Sequence, residues 1–324
     1  MTPSDLFIDN IIRAGKSPTL LLRPDNRKIL GRCSPEMLWR ALEWTARGGH
    51  AECASAIIPL CGSEVDLGPI LRIAAGKGHA ECLRVFISAS TAGATLALLY
   101  AAENGHEECV SLLLPFCDPK DHQSKALRAA AHGGHARCVE LLIPVSDPKA
   151  NGSQALCSAA SNGFEECVSL LIPASDISAK NFQAPRWAAI QGNANCLRLL
   201  AFPSSDQAPA IPESAIFDLL CEAAYYGHEE CASLLIPHCR PADQSSRPLR
   251  SAAAEGHLKC VELLLPHCDP LARAGVLDAA GEARVNGCKA VEEAILSFLA
   301  NAEAAAIASA TFAAAAPART PPRL

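Results

Sequence analysis

A histidine lies three residues before a cysteine in the segment GHARCVELLIP, at residues 134–144. Residues at positions i and i+3 of a helix share one face, so His135 and Cys138 could bind one metal ion together. A structural zinc site needs four ligands, whereas this segment supplies two. Either the pair works with residues from elsewhere in the chain, or it belongs to a pattern that needs no metal.

The same pattern recurs along the chain with a period near 29 residues. Eight glycines mark it, at intervals of 29, 27, 29, 29, 29, 35 and 29 residues: Gly49, Gly78, Gly105, Gly134, Gly163, Gly192, Gly227 and Gly256. A cysteine lies four residues after each glycine: Cys53, Cys82, Cys109, Cys138, Cys167, Cys196, Cys231 and Cys260. A histidine directly follows six of them: His50, His79, His106, His135, His228 and His257. Such self-similarity at a fixed period indicates a repeat architecture.

Each unit is predicted to hold two short helices. The first carries an Ala-Ala pair, as in ALRAAA at 126–131, and ends at the glycine, which tolerates positive φ. The second follows at once and ends at a proline ten residues after the glycine. Ser or Thr ten residues before the glycine is a favourable N-cap, at Thr95, Ser124, Ser153 and Ser246.

These helices are too short to persist alone in water, so neighbouring units must stabilise one another by stacking. The predicted fold is therefore all-α, an α-solenoid of stacked helix-turn-helix repeats.

The repeat argues against metal binding by the His-Cys pairs. Packed helices lie about 8–10 Å apart, whereas the ligands of one zinc ion must lie about 4 Å from one another. The same separation exceeds the Cα distances that a disulfide tolerates. We therefore predict no metal site, no cofactor and no catalytic residue. The cysteines are expected to fill small apolar slots in the core, and the histidines to bond locally at the turn between the two helices.

A second series of small residues follows the prolines by two positions, with cysteine or serine: Cys61, Cys117, Ser146, Ser175, Cys239 and Cys268. This exchange predicts a partly buried site rather than a reactive thiol. The alternative to a binding function is a metal- or redox-responsive protein that acts through its His/Cys series. The neighbouring pairs His238–Cys239 and His267–Cys268 are the one cluster worth testing for metal.

The composition argues against further classes of function. Of the 324 residues 50% are hydrophobic and only 5% are aromatic, and the net charge is −6. Without a Lys/Arg-rich run, nucleic-acid binding is not expected, and no apolar segment reaches the length of a membrane span. Sixteen cysteines without a recognisable signal peptide predict free thiols in a reducing compartment. We expect a cytoplasmic, monomeric protein.

The run AAENGHEECVSLLL at 101–114 resembles the helix pair of the ankyrin-repeat family, and the resemblance extends over residues 37–287. It implies a non-enzymatic scaffold that binds another protein on its concave face. Because some regular ankyrin-like arrays are delivered into host cells, it also allows a host-directed effector or adaptor located in the host cytosol. Two features depart from the family: the Thr-Pro-Leu-His opening is missing, and the repeat is about four residues shorter. Tight turns are therefore expected in place of projecting β-hairpins. Tetratricopeptide repeats are the second choice of family.

The resemblance implies that the two residues between Ala-Ala and glycine face the concave side of the array. Core packing does not restrict which amino acids occur there. Ile190, Gln191, Tyr225 and Tyr226 are the predicted partner-binding residues, because tyrosine is enriched at interface hot spots. An insertion around residues 202–214 lies beside them; it forms either part of the binding face or a plain connecting loop. The aromatic residues one position before Ala-Ala are predicted to be core: Trp44, Tyr100 and Trp187.

The ends of the chain depart from the repeat. Residues 1–36 are predicted to form an N-terminal helical cap before the array at 37–287. Residues 288–316 contain a strong helix-forming sequence and are predicted to form a C-terminal capping helix. Residues 317–324 are predicted to be a disordered tail.

Overall fold

The computed structural model describes residues 2–13, 20–62, 65–202, 210–268 and 273–315. These residues contain twenty α-helices and no strand, so the predicted all-α fold is confirmed. Most of the insertion predicted around 202–214 lies outside the described residues, at 203–209, and so does the predicted tail at 317–324. None of the described helices combines the length and the apolar character that a membrane crossing requires.

The helices form pairs, as the repeat predicts. The first helices are α3 Pro35–Gly48, α5 Gly68–Gly76, α7 Ala94–Glu103, α9 Asp121–Gly133, α11 Ala150–Asn162, α13 Ala179–Ile190, α15 Glu213–Tyr226, α17 Asp243–Glu255 and α19 Arg273–Val285. The second helices are α4 Ala51–Ile57, α6 Ala80–Ala89, α8 Glu107–Leu113, α10 Ala136–Leu142, α12 Glu165–Leu171, α14 Ala194–Ala201, α16 Glu229–Leu235, α18 Leu258–Leu264 and α20 Lys289–Ala315. Two helices precede the pairs, α1 Pro3–Arg13 and α2 Pro24–Leu30.

The chain divides into two compact units, Met1–Ala179 and Lys180–Leu324. In the first unit, α3, α5, α7, α9 and α11 pack side by side in one row, and α4, α6, α8, α10 and α12 pack in a second row. In the second unit, α15, α17 and α19 form one row, and α14, α16, α18 and α20 form the other. Within each unit, the helices of these rows contact the equivalent helix of a neighbouring repeat, and pairs such as α9 and α10 also contact each other, which is how a solenoid buries its apolar surface.

The core consists of the residues that recur in register. Both alanines of the Ala-Ala pairs are fully buried, as at Ala130 and Ala131. The eight cysteines that follow the glycines are at most 1% exposed, which confirms their prediction as core residues. Alanine and cysteine are small, so the two rows can approach closely where they cross.

Five of the second helices run into a single 3₁₀ turn at their proline, as at Leu114–Phe116 and Ile172–Ala174. A short turn leads from there to the next first helix, as predicted in place of a β-hairpin. In four repeats the first turn of the following first helix holds three consecutive residues in the left-handed region, for example His122, Gln123 and Ser124 at the start of α9, with φ between 49° and 58°. Left-handed backbone is costly for residues other than glycine, so these turns need support from neighbouring groups.

The prediction that Ser or Thr caps the first helices is wrong in the repeats where their contacts are described. Ser124 and Ser153 lie in the left-handed turns, and their hydroxyls accept the backbone N–H of Asp147 and Asp176 in the following repeat, at 2.8 and 2.9 Å. Thr95 lies inside α7, whose N-cap is Gly93. These hydroxyls join consecutive repeats, and this bond supports the strained turn.

Helices at both ends pack on the outermost repeats. Helix α1 packs on α3, and α20 packs on α18 and α19. At the N-terminal end, Oδ1 of Asp5 accepts the backbone N–H of Ser34 at 2.9 Å. The backbone N–H groups of Thr2 and Ser34 stabilise the carboxylate and lower the pKa of Asp5 to about 2. The side chain thereby ties α1 to the start of α3.

Candidate functional site

Five of the six histidines that follow the glycines form hydrogen bonds between repeats. In each bond the ring Nε2 lies near the carbonyl oxygen two residues before the glycine of the preceding repeat. The five bonds are His79 to Arg47 at 3.1 Å, His106 to Gly76 at 3.2 Å, His135 to Glu103 at 3.0 Å, His228 to Ile190 at 2.8 Å and His257 to Tyr225 at 2.9 Å. Because a carbonyl oxygen can only accept, Nε2 carries the proton.

This arrangement corrects the prediction that the histidines bond locally. Each begins its second helix as the N-cap residue, but its side chain does not cap that helix, as at His106 and His228. The ring lies instead over the glycine of the preceding repeat: a Cβ added to Gly78 would lie 2.6 Å from Nδ1 of His106. The glycine is therefore required twice, for its positive φ of 75° and for the absence of a side chain.

Where histidine is missing, other residues occupy the same place. Phe164 packs over Gly134 without a polar bond, at 2.5 Å from the position of an added Cβ. In the last repeat Cys288 packs over Gly256, while Nδ2 of Asn286 donates to the carbonyl of Ala254 at 2.8 Å. Packing and hydrogen bonding at this contact are therefore separable functions.

The thiols that follow the glycines are buried in the core. Among the described residues, none of the sixteen cysteines forms a disulfide, and burial raises the pKa of Cys82, Cys109 and Cys138 to about 11. A raised pKa lowers the thiolate fraction, which is the form that reacts and binds metal. Among the described residues no three His, Cys, Asp or Glu side chains are grouped so that they could hold a metal ion. The His-Cys pairs at 238–239 and 267–268 are therefore not part of such a group.

The second series of small residues is partly to fully buried, as predicted. Cys61, Cys117 and Cys239 are half-buried, and each thiol donates to the carbonyl four residues earlier, at 3.5, 3.1 and 3.6 Å. Ser146 is only 8% exposed, and its hydroxyl finds no hydrogen-bond partner within the described structure. Cysteine therefore suits this position better than serine.

The predicted partner-binding residues lie together in the second unit. Tyr225 and Tyr226 are 44% and 45% exposed, Gln191 is exposed and Ile190 is half-buried. The two tyrosine rings meet edge to face, with their centroids 5.0 Å apart. Tyr226 also stacks on His228 at 6.4 Å, and His228 bonds the carbonyl of Ile190. We call these four residues the tyrosine surface.

Sequence analysis missed one residue of this register. Val285 stands two residues before Gly287, as Ile190 and Tyr225 stand before their glycines, and it is 85% exposed. The positions equivalent to Ile190 in the second unit are thus all apolar or aromatic: Ile190, Tyr225, Ala254 and Val285. Gly287 itself, 31 residues after Gly256, was the signal that the register continues.

The prediction of a core position one residue before Ala-Ala is wrong. Tyr100 and Trp187 are each 37% exposed, and Trp44 is half-buried, with its ring tilted against that of His50 at 4.6 Å between centroids. The small alanines that follow them fill the space between the two helix rows. The larger side chain therefore stays on the free side of the first-helix row and adds to its surface.

Comparisons with known proteins agree with this architecture. The family model described as ankyrin repeats in three copies matches residues 38–125, 98–181, 126–211 and 186–274. Among solved structures, the crystal structure of the human ASB11 ankyrin repeat domain is similar at 18% identity and a TM-score of 0.48. That match covers 62% of this chain and 96% of the other. No curated protein matches the chain.

Proposed function

The chain belongs to the ankyrin-repeat family, and from this premise we propose that it is a non-enzymatic scaffold whose tyrosine surface binds another protein. The observation that carries the proposal is the pair of adjacent tyrosines, each exposed by nearly half, where the next repeat bonds the carbonyl of Tyr225. Tyr and Trp supply large contact areas with few rotatable bonds. Ordering these side chains on binding therefore costs little entropy.

The backbone of this surface is fixed before a partner arrives. His228 bonds the carbonyl of Ile190, and His257 bonds the carbonyl of Tyr225. The edge-to-face contact of the two rings then limits their rotation. Such preorganisation raises affinity by lowering the ordering cost of binding. The exposed Gln191 adds an amide that can donate and accept hydrogen bonds at the rim.

Further parts of the proposal concern the location of the protein in the cell and the two ends of the repeat array. Sixteen cysteines that form no disulfide among the described residues suit a reducing compartment. This supports a cytoplasmic location, in the cell that makes the protein or in a host that receives it as an effector or adaptor. We further propose that residues 1–36 and 288–316 cap the array at 37–287, since α1 and α20 pack on its outermost repeats. A capped array has no free stacking face, which supports a monomer.

The test replaces both tyrosines, Tyr225→Asp and Tyr226→Asp, and compares quantitative capture of partners from lysate with the unaltered chain. Phe116→Asp is the matched control, because Phe116 is an aromatic residue of similar exposure, 48%, outside the tyrosine surface. We expect partners to be lost only from the tyrosine variant, with the far-UV circular dichroism of both variants unchanged. Equal capture by the two variants would refute the proposed surface.

A further inference from the structure

Four arginines occupy one register of the first helices, six residues before the glycine: Arg72, Arg128, Arg186 and Arg250. The two arginines of the second unit, Arg186 and Arg250, each pair with a glutamate of the next first helix. Arg186 pairs with Glu222 at 2.6 Å, and Arg250 pairs with Glu282 at 2.6 Å. The glutamates share a register too, five residues before their glycines. The repeat therefore provides a standard partner for this arginine.

The two arginines of the first unit face different residues in that partner register. Opposite Arg72 stands Tyr100, whose ring centroid lies 5.5 Å from the guanidinium carbon. Opposite Arg128 stands Ser158. Within the described structure neither arginine forms an ion pair with a carboxylate. Both side chains are half-buried on the row of first helices, and their guanidinium groups remain available to an external anion.

Apolar surface lies between these two cations. Leu99 occupies the arginine register in the intervening repeat, and its neighbours Leu96 and Tyr100 are 47% and 37% exposed. The register thus reads arginine, leucine, arginine along α5, α7 and α9. A cavity of about 230 Å³ opens beside it, lined by Leu96, Leu99, Lys125 and Arg128 among others.

Two carboxylates also line that cavity, but backbone groups already engage them. Oδ1 of Asp118 accepts the N–H of Lys120 at 2.9 Å, and Oδ1 of Asp121 accepts the N–H of His122 at 2.7 Å. Neither carboxylate forms an ion pair with Lys125 or Arg128 in the described part of the chain. The cavity therefore combines apolar side chains with two cations that form no direct ion pair with its own acids in the described structure.

We propose that Arg72, Leu99 and Arg128 form the centre of a second protein-binding surface, which takes an acidic segment with apolar residues between its carboxylates. The fork of arginine matches a carboxylate with two parallel hydrogen bonds, and Leu96 and Tyr100 would be covered by the apolar residues. Neighbouring helices lie about 8–10 Å apart, so the two cations are about 16–20 Å apart. An extended segment spans that distance in about five or six residues.

This surface lies within residues 1–179, whereas the tyrosine surface lies within 180–324, so each can be tested alone. The full-length chain is used to select binders from a random 16-residue peptide library. We expect enrichment of peptides that carry two groups of Asp or Glu around apolar residues. The affinity of a selected peptide, measured by fluorescence anisotropy, is expected to fall about tenfold in Arg72→Gln/Arg128→Gln. The reason is that this variant loses two partly exposed ion pairs with the peptide.

The matched control is Arg186→Gln/Arg250→Gln, because these arginines share the register but are already paired. It is expected to change the affinity less than about twofold, as is Tyr225→Asp/Tyr226→Asp. A peptide with its acids replaced by lysine should bind Arg72→Glu/Arg128→Glu and not the unaltered chain. A selection without acidic peptides, equal effects of the two arginine pairs, or preferential binding of a single-stranded oligonucleotide would overturn the proposal.

Discussion

Replacement of Gly78 by alanine tests whether consecutive repeats are joined through the glycine–histidine contact. The residue has φ +75°, and left-handed backbone costs an alanine about 1–2 kcal/mol. Its new Cβ would lie 2.6 Å from Nδ1 and 2.8 Å from Cε1 of His106, so the ring must move. Moving it breaks the bond to the carbonyl of Gly76, which contributes about 1 kcal/mol. Gly78→Ala should therefore lower the free energy of unfolding by about 2–3 kcal/mol.

The assay is urea unfolding followed by circular dichroism at the helix band, with the slope compared among variants because repeat arrays can lose cooperativity. Gly281→Ala is the matched control. Gly281 lies inside α19 with no heavy atom within 4 Å of an added Cβ, so helix propensity alone should stabilise that variant by about 0.5–1 kcal/mol.

A double-mutant cycle separates backbone strain from the contact with His106. In His106→Ala the ring is absent, so Gly78→Ala should then cost only the backbone term. We expect a coupling of about 1 kcal/mol between the two positions. Strict additivity, or a Gly78→Ala variant as stable as the unaltered chain, would refute the idea that this ring joins the repeats.

Two further predictions concern small buried side chains. Ser146→Ala should raise the free energy of unfolding by about 1 kcal/mol, because the buried hydroxyl lacks a hydrogen-bond partner in the described structure. Ser124→Ala should lower it by a similar amount, because that hydroxyl accepts the N–H of Asp147. Urea unfolding that shows shifts of the same sign and size for both variants would contradict this pair of predictions. Stability should hold from pH 7 to about 8.5 and fall as the pH rises toward 11, since the folded state keeps thiols protonated beyond their unfolded pKa of about 8.5. The urea midpoint measured across that range checks the second prediction. Thiol labelling at pH 8 is expected only after unfolding for the six thiols that follow the glycines and whose pKa burial raises to about 11 or 12: Cys82, Cys109, Cys138, Cys167, Cys231 and Cys260. A midpoint unchanged between pH 8 and 10.5 would contradict it.

The sequence predicts those features that depend on spacing within one repeat. Gly134 ends a helix, Ala130 and Ala131 are buried, and Cys138 follows on the buried face of the next helix. Each of these properties results from local backbone preference and from helix periodicity. Because they recur eight times in one register, the period identifies both the helix pair and its stacking.

Features that depend on the relation between repeats could not be predicted in this way. The bond from His106 to the carbonyl of Gly76 joins residues 30 positions apart, and its geometry exists only after the repeats have stacked. The exposure of Tyr100 has the same origin, because the residue could face either the neighbouring row or solvent. Residues 122–124 include no glycine or asparagine, so the sequence does not indicate the left-handed backbone at His122–Ser124.

Residues such as Tyr225 show how one position can stabilise the array and, under the proposed function, also contact a partner. Its carbonyl accepts the bond from His257, and every amino acid supplies a carbonyl, so this contact places no demand on the side chain. The side chain points away from the core and is 44% exposed. Evolution can therefore vary the side chain without loss of the bond between repeats. The same separation explains why Glu103 and Ile190, with unrelated side chains, accept equivalent bonds from His135 and His228. Affinity for a partner can thus change at this register while the array keeps its stability.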